Sequence, residues 1–420
     1  MPQVGIRARD FGLSRDFGTF WAGQTLSVLG SSISVLAVPL LVLAATGSVL
    51  QMGLITAISG IGTVVAGLFA GHLVDRGDRL RIMIGTDLVR AGLHLLVPVL
   101  WLAGPQVWLL YLLAAITSCL SMVFDIAYVT AVANLVDPDQ VTVANGRLTA
   151  TFSIGSMIGQ PLAGVLAATV GAAWALGADG LTFLISASSI YLIRFRPAPE
   201  PVSGADSPGL VTPAPIRDTL TVGVCFLWQH PVLRALTILL ALFIFVTAGA
   251  TDILIFHLRH DLRVGTGAVG YVMGSSGLGA LVGAMLTARL RRAYGFGACW
   301  LGSVLLVGAA ITVAGRSGNV VVIAVAAALF AFGTAVAGIC SMSLRQEVTP
   351  DHLLGRVTSA FWTLHMAPGP VGAAAFTALA ARTGTSVACL CSGGFGCLLI
   401  AGLGMCSPIR TAGALTYSSL

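Results

Sequence analysis

The sequence contains no lysine and little charge of any kind. All 22 cationic residues are arginine, and charged residues make up 9% of the 420-residue chain, whereas a soluble domain carries about 25%. The lack of lysine rules out a GxxxxGK[ST] phosphate loop, and therefore an ATPase of that type. Hydrophobic residues make up 56% of the chain, which is typical of a protein embedded in a lipid bilayer.

Sequence patterns of catalytic and metal sites are also missing. No HExxH, CxxC or GxSxG motif occurs, and the eight cysteines lie almost entirely in apolar segments. We interpret these cysteines as small packing residues. The sequence therefore predicts a protein that is not an enzyme and has no metal or cofactor.

Twelve apolar segments, each about long enough to cross a bilayer, follow one another along the chain. Spanning takes roughly 20 residues, and the segments cover 18–46, 50–72, 80–103, 107–133, 148–169, 171–195, 232–258, 266–290, 296–314, 319–343, 353–378 and 384–406. Seventeen arginines fall at the termini and in even-numbered connections, against four in odd-numbered connections. Because positive charge marks the cytoplasmic side, we predict a multi-pass protein with both termini in the cytoplasm. The net charge of +6 then reports topology and not a nucleic-acid partner.

A polar stretch rich in proline, serine and glycine divides the chain into two sets of six segments. It extends from residue 196 to residue 217 and is typical of a linker. The residues that follow, 216–233, are a candidate interfacial helix. We therefore predict an N-terminal six-helix bundle over 1–195, a cytoplasmic linker over 196–231 and a C-terminal six-helix bundle over 232–420.

The two halves resemble each other in sequence. Gly146-Arg147 before the fifth segment matches Gly355-Arg356 before the eleventh segment. In both halves a proline follows that arginine by 14 positions, as Pro161 and as Pro370. We infer a duplicated six-helix unit, which favours an all-α membrane fold of twelve helices in two bundles.

A charged loop between the second and third segments carries the most specific pattern. It reads GHLVDRGDRLR over residues 71–81 and resembles the GxLaDRxGRR signature of the major facilitator superfamily. The resemblance implies two parallel six-helix repeats and transport by alternating access. It also implies a cytoplasmic gate in which Asp75 meets the start of the eleventh segment; the alternative is a solvated loop that only sets topology. The expected gate residues are Gly71, Asp75, Arg76, Arg79, Arg147 and Arg356.

Other local matches resemble the secretion-effector branch of this superfamily, whose members include exporters similar to macrolide-efflux and siderophore-export proteins. These matches are Asp87-Leu88-Val89-Arg90-Ala91 and Phe124-Asp125-Ile126-Ala127-Tyr128. Exporters of the superfamily often carry a GxxxGPxxGG stretch in the fifth segment; here Pro161 and Gly164 fit, and Gln160 replaces a glycine. Because proline bends helices, we expect bends at Pro161, Gly164 and Pro370, with ordinary packing of small residues as the alternative.

Ionisable residues inside apolar segments are candidates for function because charge is costly in a membrane. Asp87, Arg90 and Asp125 lie at a similar depth from the cytoplasmic side, which predicts an Asp–Arg–Asp cluster. The cluster would serve helix packing and gating, or Asp125 would exchange a proton. We interpret Asp179 as an interfacial residue and His94 as a hydrogen-bonded packing residue, with a proton relay as the alternative for His94.

Asp252 is a fourth intramembrane candidate, near the outer end of the seventh segment. It follows a run of small residues, and interrupted helices at such runs build substrate sites in transporters. Asp252 would either bind a cation or proton, or pair with Arg259 or Arg263 at the outer surface. The sequence leaves both alternatives open.

Polar and aromatic side chains in the first and eleventh segments are candidates for the substrate cavity: Gln24, Ser31, Trp362 and His365. A lining with few charges suits a lipophilic neutral or cationic molecule. We therefore predict a monomeric secondary transporter of the bacterial inner membrane that exports such a molecule in exchange for protons. The alternatives are a dedicated exporter of a siderophore or antibiotic, a lipid flippase, and a non-transporting sensor on a transporter scaffold.

Overall fold

The structure, a computed structural model, describes residues 15–135, 141–193 and 216–411. These residues form helices joined by short connections, and no β-strand occurs among them. Nine helices in the described ranges are long and apolar enough to cross a membrane. The architecture confirms the predicted all-α membrane fold, while residues 196–215 of the predicted linker lie outside the described part of the chain.

Each apolar segment of the first half forms one helix. The helices are α1 (Arg15–Thr46), α2 (Val49–Arg76), α3 (Arg79–Trp101), α4 (Val107–Leu135), α5 (Val141–Thr169) and α6 (Ala172–Tyr191). Polar residues between the segments begin the helices, because the first N–H groups of a helix lack partners inside it. Ser48 accepts a hydrogen bond from the backbone of Gln51 at the start of α2, and Asp78 accepts from the backbone of Leu80 at the start of α3.

Several helices of the second half are divided into shorter pieces, and two of its segments are joined into one long helix. The elements are α7 (Ile216–Gln229), α8 (Pro231–Thr247), α9 (Ala250–Phe256), a π-helical turn (His257–Asp261), α10 (Thr266–Ala314), α11 (Val320–Val348), α12 (Asp351–Met366), α13 (Gly369–Thr383), α14 (Thr385–Cys389), a second π-helical stretch (Leu390–Gly396), α15 (Cys397–Met405) and a 3₁₀ turn (Pro408–Thr411). Predicted segments seven, eleven and twelve are therefore each interrupted. Segments eight and nine together form α10, which changes direction at Gly295, where a φ of 77° favours glycine.

The connections define two ends of the bundle. We call one end the arginine-rich end: here α2, α4, α6 and α11 end, α3, α5 and α12 begin, and α10 bends at Gly295. The opposite end, with connections 46–49, 101–107, 169–172, 261–266, 314–320 and 383–385, is the arginine-poor end. Helix α7 lies at the arginine-rich end and packs on α12.

The two halves meet along α5 and α10 and along α2 and α13. Small residues allow the close approach: a Cβ atom on Gly164 would lie 2.6 Å from the Cα of Gly270, and one on Gly60 would lie 2.8 Å from Pro370 Cγ. Lipid tails are as apolar as the side chains, so helices associate in a membrane mainly through such close packing.

Buried apolar side chains show which end is closed. One cluster at the arginine-poor end contains residues of both halves, among them Leu36 of α1, Ile255 of α9 and Val272 of α10. The cluster around Phe20 belongs to the first half, and the cluster around Trp300 belongs, apart from Val49, to the second half. Among the described residues, the buried apolar cluster that contains several side chains from each half therefore lies at the arginine-poor end.

Candidate functional site

A polar cavity lies inside the first half, between α1, α2, α3, α4 and α6. Its inner part has a volume of about 340 Å³, and an outer part of about 690 Å³ extends along α1, α4 and α5. Both parts share Ser31, Val35, Arg90 and Ser121 in their walls. A smaller inter-half cavity of about 170 Å³, between α1, α5, α9, α10 and α11, shares Val35 and Gln160 with the outer part. The three spaces adjoin one another.

Arg90 of α3 is the central cation of the polar cavity. Its guanidinium lies 3.9 Å from the ring centroid of Phe183 and 5.9 Å from that of Phe124. Its Nη1 atom lies 3.4 Å from Oδ1 of Asp87, which is fully buried. A position over aromatic rings suits the arginine side chain and stabilises its charge away from water. Arg90 Nε and Asp87 Oδ2 have no hydrogen-bond partner among the described residues.

A second acid joins this cation network from α6. Asp179 is 1% exposed, so the interpretation of this residue as interfacial is wrong. Its carboxylate accepts hydrogen bonds from the hydroxyls of Ser34 and Thr182, and its Oδ2 lies 3.6 Å from Nε2 of His94. His94 Nδ1 lies 2.8 Å from the backbone carbonyl of Arg90, and that carbonyl can only accept. The helices therefore bring two buried acids, one arginine and one histidine together.

Asp125 of α4 belongs to the outer part of the polar cavity. Its side chain is exposed on the cavity wall together with Arg90, Tyr128 and Phe152. Tyr128 stacks with Phe20 at 5.5 Å and with Phe124 at 6.1 Å between ring centroids. The predicted Asp–Arg–Asp arrangement thus takes the form of a buried Asp87–Arg90 pair beside a more open carboxylate.

Hydroxyl and amide groups of α1 complete the wall. Ser31 faces both parts of the polar cavity, and Gln24 lines the outer part while its Nε2 donates to Ser186 Oγ at 2.9 Å. Both were expected in the substrate cavity. The wall consequently combines hydroxyl groups, aromatic rings and one arginine, which can bind a ligand that has both an aromatic face and several oxygen atoms.

The side chain of Asp252 pairs with a threonine, whereas the sequence left open a pairing with Arg259 or Arg263. Thr56 of α2 donates its hydroxyl to Asp252 Oδ2 at 2.7 Å, and Arg259 donates instead to the carbonyl of Val264 at 2.6 Å. Asp252 is 3% exposed, and Thr56 also lines the inner part of the polar cavity. The bond therefore joins the two halves next to that cavity.

Trp362 and His365, the other two cavity candidates, do not line the polar cavity or the inter-half cavity. They surround Phe361, which His365 stacks on at 5.3 Å between centroids. Arg345 lies 3.6 Å from the same ring, is 2% exposed and donates only to the sulfur of Met342 among the described residues. Arg345 was assigned to a connection from the sequence, yet its guanidinium is buried in the second half.

The expected gate residues lie at the arginine-rich end. The surroundings of Gly71 and the side chains of Asp75 and Arg76 lie outside the described part of the structure, so the contacts of these residues stay a prediction. Arg79 begins α3, Arg147 lies 5.9 Å from the Trp21 ring centroid, and the Arg356 carbonyl faces Gly223 of α7. Helices α2 and α12 touch, as the expected contact between Asp75 and the eleventh segment requires.

The three expected bend residues all lie where the halves meet. Helix α5 continues without interruption through Pro161, whose ring packs on Gly274. Gly164 packs on Gly270, and Pro370 packs on Gly60. The eleventh segment does break, at Ala367 and Pro368 just before Pro370. In α5, Pro161 and Gly164 therefore allow close packing without interrupting the helix. Of the three residues, Pro370 alone lies next to an interruption, the one between α12 and α13.

Comparison with known families decides the class. The family profile described as Major Facilitator Superfamily matches residues 20–373, most of the chain. The chain belongs to the major facilitator superfamily. It is therefore a multi-pass secondary transporter that works by alternating access, in which two six-helix halves rock around a site between them.

Several relatives of this transporter are exporters. It is 26% identical over 392 residues to the enterobactin exporter EntS of Escherichia coli O1:K1, covering 91% of this chain and 89% of that protein. In structure it resembles the nucleoside transporter NupG, with a TM-score of 0.75, 10% identity and coverage of 94% and 99%. It also resembles an inward-facing bacterial homologue of the iron transporter ferroportin, with a TM-score of 0.68, 16% identity and coverage of 94% and 99%.

The candidate site of this transporter also contains two residues, His94 and Asp179, that the sequence interpretation did not place in the charged cluster. His94 follows Asp87 by seven residues and Arg90 by four, so all three share one face of α3. That spacing could have assigned His94 to the cluster. No comparable signal existed for Asp179, because the contact between α3 and α6 is set by the tertiary fold.

Proposed function

We propose that this transporter exports a siderophore-type small molecule that carries aromatic rings and several oxygen atoms. The observation that supports the proposal is the wall of the polar cavity, where Ser31 and Ser121 face Arg90 and the rings of Phe124 and Tyr128. The enterobactin exporters, similar over most of the chain, point to the same class of substrate. Hydroxyl groups and arginine would bind the oxygen atoms, and the aromatic rings would stack on the substrate.

We further propose export driven by a proton gradient across the bacterial inner membrane, with the arginine-rich end in the cytoplasm. The excess of arginine at that end supports this orientation. The apolar core shared by the halves at the arginine-poor end then makes this an inward-facing state that loads substrate from the cytoplasm. Asp125 on the cavity wall and Asp252 between the halves are candidates for carrying the proton within the substrate pathway.

The test uses Escherichia coli cells that lack their own enterobactin exporter. Expression of this chain is expected to restore enterobactin in the growth medium at least tenfold, measured by chromatography. Ser121→Ala, which removes one of several hydroxyl groups of the wall, is expected to reduce export in part, whereas Arg90→Ala, which removes the central cation, abolishes it. Enterobactin that stays inside the cells, with the transporter present in the membrane, would contradict the proposed substrate.

Export of a lipophilic compound is the second candidate. The inter-half cavity supports it, because this wall is mostly apolar and includes Leu254, Met273 and Phe330. The same cells would then tolerate higher concentrations of lipophilic cations. Uptake of a labelled lipophilic cation into inverted membrane vesicles, with and without a proton gradient, measures this directly. Increased tolerance without enterobactin export would favour the second candidate over the first.

A further inference from the structure

A cluster of titratable residues lies at the arginine-poor end of the second half, away from the polar cavity. It is built on the π-helical turn His257–Asp261 that follows α9. Such turns are rare and occur frequently at functional sites. Arg263, two residues later, has a φ of 54°, a conformation that is uncommon for a residue other than glycine. The backbone here departs from a simple helix end.

The hydrogen bonds of His257 define how many protons the cluster holds. Its Nδ1 lies 2.8 Å from Oδ2 of Asp261, and its Nε2 lies 3.1 Å from the backbone carbonyl of Ser317. A neutral imidazole has a hydrogen on one nitrogen only. Only the imidazolium, with hydrogens on both nitrogens, can donate to the carboxylate and to the carbonyl together. The geometry therefore favours one bound proton.

Thr385 of α14 completes the cluster. Its hydroxyl donates to Asp261 Oδ2 at 2.7 Å and lies 3.2 Å from His257 Nδ1. These contacts of His257 and Thr385 join three connections of the second half, those that contain Asp261, Ser317 and Thr385. A neutral His257 would have a hydrogen for one of its two contacts, and either Asp261 or the Ser317 carbonyl would then face a nitrogen without a hydrogen.

Several other charged groups lie on the segments that pack around His257. His260 Nδ1 lies 3.1 Å from Asp261 Oδ1, and Asp252 lies on α9 bonded to Thr56. The neighbouring arginines are Arg259, Arg263, Arg316 and Arg382. None of these arginines forms an ion pair with Asp261 in the described ranges. The carboxylate of Asp261 is therefore shared between the two histidines and Thr385.

The cluster connects the protein surface with the inter-half cavity. The side chain of Asp261 is 33% exposed, whereas that of His257 is 8% exposed. His257 lines the inter-half cavity, and the described wall contains no arginine and no carboxylic acid side chain. Because that cavity adjoins the polar cavity through Val35 and Gln160, a proton on His257 lies between the outer surface and the substrate pathway.

We propose that His257 and Asp261 form the proton-binding site through which the outside solution is coupled to transport. In the outward-facing orientation, Asp261 accepts a proton from the outside solution and passes it to His257, which holds it as imidazolium. In the inward-facing orientation, His257 releases that proton through the inter-half cavity toward the cytoplasmic side and becomes neutral, so that one proton enters for each molecule exported. This inference rests on the proposed export function.

The first test separates coupling from substrate binding. The purified transporter is reconstituted into liposomes, and labelled enterobactin is followed in exchange without a gradient and in accumulation driven by a pH gradient. His257→Gln and Asp261→Asn are expected to keep exchange within about twofold and to lose at least tenfold in driven accumulation. His260→Gln is the matched control, since His260 contacts the same carboxylate at 3.1 Å but lies outside the cavity wall; it is expected to retain both activities. Driven accumulation that survives in His257→Gln would overturn the inference.

The second test needs no substrate and so remains decisive if enterobactin is not transported. Nitrogen-15 NMR of the histidine side chains in the full-length protein distinguishes rings with one and with two hydrogens. The signal that is missing in His257→Gln belongs to the ring of His257. In the parent protein at pH 7 this ring is expected to carry hydrogens on both nitrogens, and in Asp261→Asn on one nitrogen. A ring with one hydrogen in the parent protein at pH 7 would overturn the inference. Absence of enterobactin exchange in the parent would contradict the proposed function alone.

Discussion

At the scale of single residues, the polar cavity depends on a few buried ions whose stability comes from their neighbours. Arg90 is 9% exposed and Asp87 is fully buried, so each charge needs a partner. The stacking of Arg90 on Phe183 at 3.9 Å adds an interaction that lysine would provide less well. Asp179 brings a further negative charge beside His94. The four groups form one electrostatic unit.

Removing Arg90 is therefore expected to destabilise the protein as well as to stop transport. Arg90→Ala leaves the carboxylate of Asp87 buried without its cation, which costs about 3–5 kcal/mol in known cases. We expect the midpoint of thermal unfolding in detergent to fall by at least about 5 °C, measured by the fluorescence of a thiol-reactive or intrinsic probe.

Two further variants separate the loss of charge balance from the loss of packing. Arg90→Lys keeps the charge without the planar stacking and is expected to fall between the parent and Arg90→Ala. Arg90→Gln combined with Asp87→Asn removes both charges and is expected to recover more than half of the lost stability. Equal unfolding midpoints for Arg90→Ala and the double variant would show that Asp87 does not depend on Arg90.

The residue scale is also where prediction from the sequence was least complete. Asp87, Arg90 and Asp125 were recognisable because ionisable residues are rare in apolar segments. The partner of Asp252 was not, because Thr56 is 196 positions away and threonine is common in membrane helices. Arg345 was assigned to a connection, since nothing in the sequence shows that Phe361 covers it.

At the scale of helices, small residues determine where the halves can touch. The close contacts of Gly164 with Gly270 and of Gly60 with Pro370 bring backbones nearer than larger side chains would allow. Two helices are interrupted close to the contact between Gly60 and Pro370, one after Thr247 and one after Met366. Helix α13, which contains Pro370, contacts both α2 and α8. The sequence marked both regions, through the small residues before Asp252 and through Pro370, but it did not give the residue at which each helix ends.

A bulky side chain at Gly270 is expected to hold the arginine-poor end open. A Cβ atom there would lie 2.7 Å from the Cα of Gly164, so Gly270→Leu should push α5 and α10 apart by about 2–3 Å toward the usual 8–10 Å between helix axes. Distances between spin labels at Thr169 and Thr266, in a background without the native cysteines, measure the shift. Enterobactin export should be lost.

Gly267 on the same helix provides the control. A Cβ atom at Gly267 has no heavy atom within 4 Å, so Gly267→Leu adds the same side chain without a clash. We expect unchanged label distances and export for this variant. If Gly270→Leu behaves in the same way as Gly267→Leu, the close contact between α5 and α10 is not needed for the closed end.

At the scale of the whole molecule, the sequence was most informative. Length and hydropathy identified all twelve apolar segments, because a helix that crosses a bilayer needs a long apolar stretch whatever its neighbours are. The charged loop over 71–81 indicated the superfamily that the family profile confirms. How the segments are interrupted and which face each presents to the cavity required the structure, since both depend on contacts between distant parts of the chain.

The distribution of arginine leads to a prediction of topology. With the arginine-rich end in the cytoplasm, green fluorescent protein fused to the C-terminus should fluoresce, and alkaline phosphatase fused there should be inactive. Alkaline phosphatase fused after Gly104, in a connection of the arginine-poor end, should be active. The reverse pattern would exclude the proposed orientation and with it the assignment of the structure to an inward-facing state.

The apolar cluster shared by both halves gives the transport cycle a heat-capacity signature. To open the arginine-poor end, side chains such as Leu36, Ile255 and Val272 must leave one another and meet water. Exposure of apolar surface raises the heat capacity, and the hydrophobic contribution to closing weakens on cooling. The logarithm of the equilibrium constant between the two orientations should therefore be a curved function of inverse temperature. In a cold membrane, the fraction of transporter whose arginine-poor end is open should exceed the fraction extrapolated linearly from warm conditions.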